Sequence, residues 1–131
     1  MKYCFLAFLL LFSKGILAVE VRVISPTIDE LKSMDMLLID IREPHEWLET
    51  GIVEGSIPLT ISSTFVQELE AIKDGRPIAL ICRTANRSHQ LARHLSRYFN
   101  EPVYDINGGI LKYIRSGYVT TAYQNDFCYT C

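Results

Sequence analysis

Excess charge is missing from this sequence, and so are the ligands of a metal site. The chain carries 13 Lys and Arg against 15 Asp and Glu, a formal net charge of −2 over 131 residues. That balance gives no general electrostatic case for nucleic acid or an anionic membrane surface as partner. Histidine is scarce: His45, His89 and His94 are the only three, and they form no ligand pattern with the four cysteines. Neither a metal centre nor another cofactor is expected. There is no internal repeat and no low-complexity linker. What remains is 49% apolar residues in a length that suits one domain and hardly two.

The first segment, MKYCFLAFLLLFSKGILA, stands apart. It opens with Lys2, carries an apolar run from Tyr3 to Phe12, turns polar at Ser13-Lys14-Gly15 and ends in Ile16-Leu17-Ala18. That order is an n-region, an h-region and a small-residue cleavage site. The run is roughly ten residues, and a membrane-spanning helix needs about 20. Residues 1–18 are therefore expected to be a signal peptide, cut after Ala18, with an uncleaved anchor as the alternative. The expected location is periplasmic or otherwise exported, without stable membrane insertion after cleavage. Cys4 lies too early in the run for a lipoprotein-type anchor. Cleavage removes Lys2 and Lys14, so the mature charge becomes −2 − 2 = −4. Cys82, Cys128 and Cys131 then remain, an odd count that leaves a free thiol or an intermolecular bond. The simplest partition pairs Cys128 with Cys131 and frees Cys82.

The rest alternates short apolar runs with amphipathic segments. Strands are expected at Val21–Ile24, Met36–Asp40, Ile57–Leu59, Pro77–Cys82 and Val103–Ile106. Helices are expected to about Ser33 from an opening at Ser25-Pro26-Thr27, then over Glu43–Glu49, Thr64–Ile72, Arg87–Phe99 and Gly109–Ser116. MLLID and PIALIC are continuous apolar runs, as in strands buried on both faces. Regular alternation predicts an α/β fold whose sheet is mostly parallel, with helices on both faces. Ligands of such sheets bind beyond the carboxyl ends of strands.

Cys82 stands at such an end, in the stretch ICRTANRS. Four residues separate it from Arg87, and a helix is expected to follow. The first amides of that helix point back into the loop, and its dipole is positive there. Loop amides can curl into an anion nest, and Arg83 and Arg87 add two full charges. This surrounding favours thiolate over thiol, and a thiolate needs no histidine base. The bland alternative is a core cysteine that caps a buried strand.

Four segments in order resemble the rhodanese (sulfurtransferase) family in its single-domain exported form, over about residues 22–118. Leu38-Ile39-Asp40-Ile41-Arg42-Glu43-Pro44-His45-Glu46-Trp47 is similar to the family's Asp-x-Arg…Glu-aromatic segment. Gly51 to Leu59 is similar to its Gly-His-Ile-x-Gly-Ala/Ser loop. Cys82-Arg83-Thr84-Ala85-Asn86-Arg87-Ser88 resembles the active-site loop, and Asn107-Gly108-Gly109-Ile110 to Gly117-Tyr118 the closing segment. The resemblance implies a five-stranded sheet and a rhodanese-like domain over residues 19–120. It implies that Cys82 accepts a sulfane sulfur from thiosulfate or a related persulfide donor. An acceptor thiol, which a protein could supply, or cyanide then takes that sulfur. The backbone of Arg83 to Ser88 would cradle the sulfur. Arg87 or Arg83 would engage the donor's anionic part. Asp40 and Arg42 would support the loop, or form an ordinary ion pair at a strand end.

Three departures stand out. Ile52 replaces a common histidine and Tyr113 a common tryptophan, with packing affected more than chemistry. Ala85 replaces a common glycine, and a positive φ there would cost about 1 kcal/mol.

Residues 121–131 are expected to be a tail. Its Cys128-x-x-Cys131 is a candidate redox pair, a local disulfide or a thiol relay to Cys82. His45, His89 and His94 are expected at the surface and Trp47 in the core. Three other functions compete with the enzyme: a persulfide carrier or regulatory module, a phosphatase or arsenate reductase, and a Cys128/Cys131 disulfide oxidoreductase. The four-residue gap favours sulfur over a tetrahedral oxyanion, whose loops commonly hold five.

Overall fold

The computed structural model describes residues 21–124. Its strands are β1 (Arg22–Ile24), β2 (Leu37–Asp40), β3 (Ile57–Pro58), β4 (Ile78–Ile81) and β5 (Val103–Ile106). Between and after them run α1 (Ile28–Ser33), α2 (Pro44–Thr50), α3 (Phe65–Ile72), α4 (Asn86–Leu95) and α5 (Gly109–Arg115). The sheet order is β1-β5-β4-β2-β3, and every pairing of these strands is parallel. The central strands β2 and β4 are buried at all four positions, which is why they read as unbroken apolar runs. Pro58 sits in the edge strand β3, where a missing N–H disrupts least.

Side-chain alternation sorts the core into two layers. Leu37, Ile39, Ile78, Leu80 and Cys82 point toward Phe65 and Leu69 of α3 and Ala92 and Leu95 of α4. Leu38, Ala79, Ile81 and Ile106 point toward Leu31 of α1 and Ile110 and Tyr113 of α5. Helices thus cover both faces of a five-stranded sheet. Because all strands run one way, the ends of β2 and β4 and the loops after them meet along one edge.

Local chemistry refines several boundaries. Thr27 is the N-cap of α1, whose first helical residue is Ile28. Its Oγ1 accepts from the Glu30 amide, and the Glu30 carboxylate accepts from the Thr27 amide at 2.7 Å. The segment after β4 is helical only to Leu95, where Ser96 caps it and its Oγ donates to the Ala92 carbonyl. Ile52 forms an antiparallel bridge with Thr121, and Tyr123 packs on Trp47 with ring centroids 5.1 Å apart. Contacts with the domain therefore continue past residue 120. Cys128 and Cys131 lie outside the described residues, as do residues 1–18. No described helix is long and apolar enough to cross a membrane.

Tyr113 fills its site as a core residue. It is 1% exposed, and its hydroxyl donates to the Pro26 carbonyl at 3.1 Å. Burial pushes its phenol up to about 12, so it stays neutral there. Tyr113→Phe should keep the packing and lose that bond, costing about 0.5–1.5 kcal/mol, measured by urea denaturation.

Candidate functional site

Cys82 follows the last residue of β4 and is 1% exposed. The chain turns sharply behind it, because Ala85 adopts φ 80° and ψ −5°, the left-handed region. That turn brings the Ala85 amide to donate to Cys82 Sγ at 3.1 Å. It also starts α4, so that the Ser88 hydroxyl comes within 3.4 Å of the same sulfur. The exposed residues of the loop are Arg83, Thr84 and Asn86. Among the described residues, Cys82 is the free cysteine and no cluster could hold a metal ion.

Helix α5 clamps the loop from the other side. The Ile110 amide donates to the Cys82 carbonyl at 2.9 Å, and the Leu111 amide to the Arg83 carbonyl at 3.2 Å. This close approach needs glycine at 109. A Cβ there would lie 2.5 Å from the Cys82 and Arg83 carbonyl oxygens, closer than real contacts allow.

The two loop arginines have different surroundings. Arg87 makes a bidentate pair with Glu46, at 2.7 and 2.8 Å. Its bond to Arg87 holds the Glu46 carboxyl down at about 2, against the opposing effect of burial. The same bond raises Arg87 above its ordinary value. Arg83 remains exposed, with Glu49 at 4.0 Å.

Asp40 and Arg42 lie one step further back. Both are buried, and they pair at 2.7 and 2.9 Å. Arg42 also donates to Thr50 Oγ1 and to the carbonyls of Gly51 and Glu46. The pair thus ties the end of β2 to both ends of α2, the helix that presents Glu46 to Arg87.

Three residues outside the expected site belong to this neighbourhood: Glu46, Asp105 and His89. Ser88 Oγ donates to Asp105 Oδ1 at 2.6 Å, and Asp105 Oδ2 lies 3.2 Å from His89 Nδ1. The expectation of a solvated His89 is corrected by this contact, since only 39% of its side chain is exposed. His45 and His94 are exposed, His94 packing on Tyr98, and Trp47 is buried. One signal for Asp105 was available in VYDI, where a charge sits inside an apolar strand.

Comparison with known proteins places the chain in a family and a fold. The rhodanese-like domain family matches residues 27–116. A sulfurtransferase of Allochromatium vinosum is 31% identical over 83 residues, covering 63% of this chain and 76% of that protein. A rhodanese-related protein from Thermoplasma volcanium superposes with a TM-score of 0.61 at 23% identity, covering 76% of this chain and 98% of that one. The polysulfide-sulfur transferase homodimer of Wolinella succinogenes gives 0.63 at 20% identity, over 86% and 87% of the two chains. Family and curated relative support sulfur transfer as the general class of activity; the two structures bear on the fold.

Two outcomes test the site's construction. Alanine in a left-handed turn is strained, and glycine relieves about 1–2 kcal/mol of that while adding roughly 0.5–1 kcal/mol of unfolded-state entropy. Ala85→Gly should therefore be more stable by about 0.5–1 kcal/mol in urea denaturation. Glu46→Gln should cost roughly 1–3 kcal/mol at neutral pH. The Glu46 carboxyl sits lower folded than unfolded, so its contribution is present above 4.5 and lost as pH falls toward about 2. Denaturation at stepwise lower pH should show the variant and parent converging across that window.

Proposed function

The chain belongs to the rhodanese-like domain family, and from that premise we propose that it moves a sulfane sulfur through a persulfide on Cys82. The observation that carries this reading is the Ala85 amide 3.1 Å from Cys82 Sγ, at the carboxyl end of a buried strand. A backbone donor at that point stabilises negative charge on sulfur without a base beside it.

The reaction has two displacements. The Cys82 thiolate attacks the outer sulfur of thiosulfate or a related donor. A new S–S bond forms, the donor's S–S bond breaks, and the electron pair leaves with sulfite from thiosulfate or with the thiolate from a persulfide donor. An acceptor thiolate or cyanide then attacks the terminal sulfur, and Cys82 departs as thiolate. Arg83 is the cation for the donor's anionic part, because it is exposed. Arg87 is engaged by Glu46 and supplies positive potential and loop rigidity instead. The leader-like composition of residues 1–18 supports export as the setting of this chemistry.

Incubation of the protein with thiosulfate should add about 32 Da, one sulfur atom, to the Cys82 peptide, and cyanide should remove it. Peptide mapping separates Cys82 from Cys4, Cys128 and Cys131. An adduct that never appears on Cys82, or that forms equally in Cys82→Ser, would sink the proposal. Steady-state turnover with small acceptors then distinguishes an enzyme from a carrier.

A further inference from the structure

Beside the sulfur runs a line of polar groups that the displacement chemistry leaves without a task. Ser88 Oγ is 3.4 Å from Cys82 Sγ and 2.6 Å from Asp105 Oδ1, and Asp105 Oδ2 is 3.2 Å from His89 Nδ1. Ser88 and Asp105 are fully buried, whereas His89 reaches solvent. The line connects a buried thiol to the surface.

A hydroxyl has one hydrogen to give, and an ionised carboxylate has none. At 2.6 Å that hydrogen belongs to the bond with Asp105. Ser88 Oγ can then only accept from Cys82, an arrangement that holds the proton on sulfur. A thiolate favours the reverse: turned to Sγ, the Ser88 hydrogen gives the sulfur a second donor beside the Ala85 amide. Asp105 then keeps only the contact with His89, and two buried anions stand one hydroxyl apart. Like charges in a poorly polarisable interior oppose each other. The register neighbours of Asp105 are Leu80 on β4 and Val23 on β1, which bring no charge. Helix α4 brings Ser88 and His89 to it, and the neighbouring cation Arg87 is held by Glu46. His89 is therefore the group placed to offset Asp105.

We propose that Asp105 and His89 set the charge state of Cys82 through the Ser88 hydroxyl. One proton leaves Sγ and one binds Nε2 of His89, whose Nδ1–H faces the Asp105 carboxylate, while the Ser88 hydrogen swings from Asp105 to sulfur. The net charge of the cluster is unchanged, and nothing is oxidised or reduced. Asp105 and His89 are positioning residues that act through Ser88.

This rests on Cys82 as the nucleophile, but its test reads the thiol directly and needs no sulfur donor. The rate of iodoacetamide labelling at the Cys82 peptide is followed against pH in the full chain. Asp105→Asn removes the opposing charge, so the profile should move to lower pH by about one unit, tenfold in rate at a fixed pH. His89→Gln leaves Asp105 uncompensated and should move it about as far to higher pH. In the double variant the His89 effect should vanish, since its target charge is gone. Ser88→Ala removes the thiolate's hydroxyl donor and should also shift the profile upward. A purely structural role would not give opposite signs for Asp105 and His89. An Asp105→Asn profile unmoved or moved upward would overturn the proposal. So would a His89 effect that persists in the double variant. If Asp105→Asn does not fold, judged by circular dichroism, the other two single variants decide: a profile equal to the parent's in either rejects the relay. A parent chain that is labelled normally yet forms no persulfide would defeat the sulfur-transfer reading alone.

Discussion

The guanidinium of Arg42 has no access to water, and the site is arranged around satisfying it. It is 1% exposed and faces Asp40, which is fully buried. A buried charge is costly unless paired and hydrogen-bonded. Here the remaining donors go to Thr50, Gly51 and the Glu46 carbonyl. Those contacts fix α2 against the end of β2, and α2 in turn presents the Glu46 carboxylate to Arg87. Two ion pairs in series therefore link the sheet to the loop after Cys82. The consequence is a division of labour between the loop cations. Arg87 is tied to Glu46, and Arg83 is left facing outward.

The sulfur itself is placed by backbone rather than by side chains. Ala85 turns left-handed so that its amide faces Sγ. Gly109 lets α5 come close enough to bind the Cys82 and Arg83 carbonyls. A loop held through its carbonyls on one side and by the start of α4 on the other keeps its donors in position before a substrate arrives. Preorganised donors of this kind need little rearrangement as charge develops. The Ser88–Asp105–His89 line adds a second, tunable contact to the same atom.

Much of the frame could be read from local pattern. MLLID and PIALIC are apolar on both faces because β2 and β4 are central, and burial on both faces leaves no polar alternation to confuse. The place of Cys82 followed from strand, loop and helix in succession. Asp40 and Arg42 stood out as a strand-end pair, though their reach through α2 to Glu46 did not. The end of α4 was overestimated because Tyr98 and Phe99 keep helical spacing while the amides of Arg97 and Tyr98 bond only three residues back. His89 was read as solvated because spacing along one helix says nothing about what a neighbouring strand offers it.

Length, near-neutral charge, alternating apolar runs and the Cys-x-x-x-x-Arg spacing were determined by sequence alone, as was the risk attached to alanine at position 85. These are properties of neighbours in the chain, where period and propensity suffice. The pairing of Arg87 with Glu46, the clamp by Gly109 and the contact of Asp105 with both Ser88 and His89 were decided only by tertiary structure. Each joins groups at least sixteen residues apart. Such contacts form when parallel strands bring their carboxyl ends to one edge, and no local pattern encodes which partners meet there.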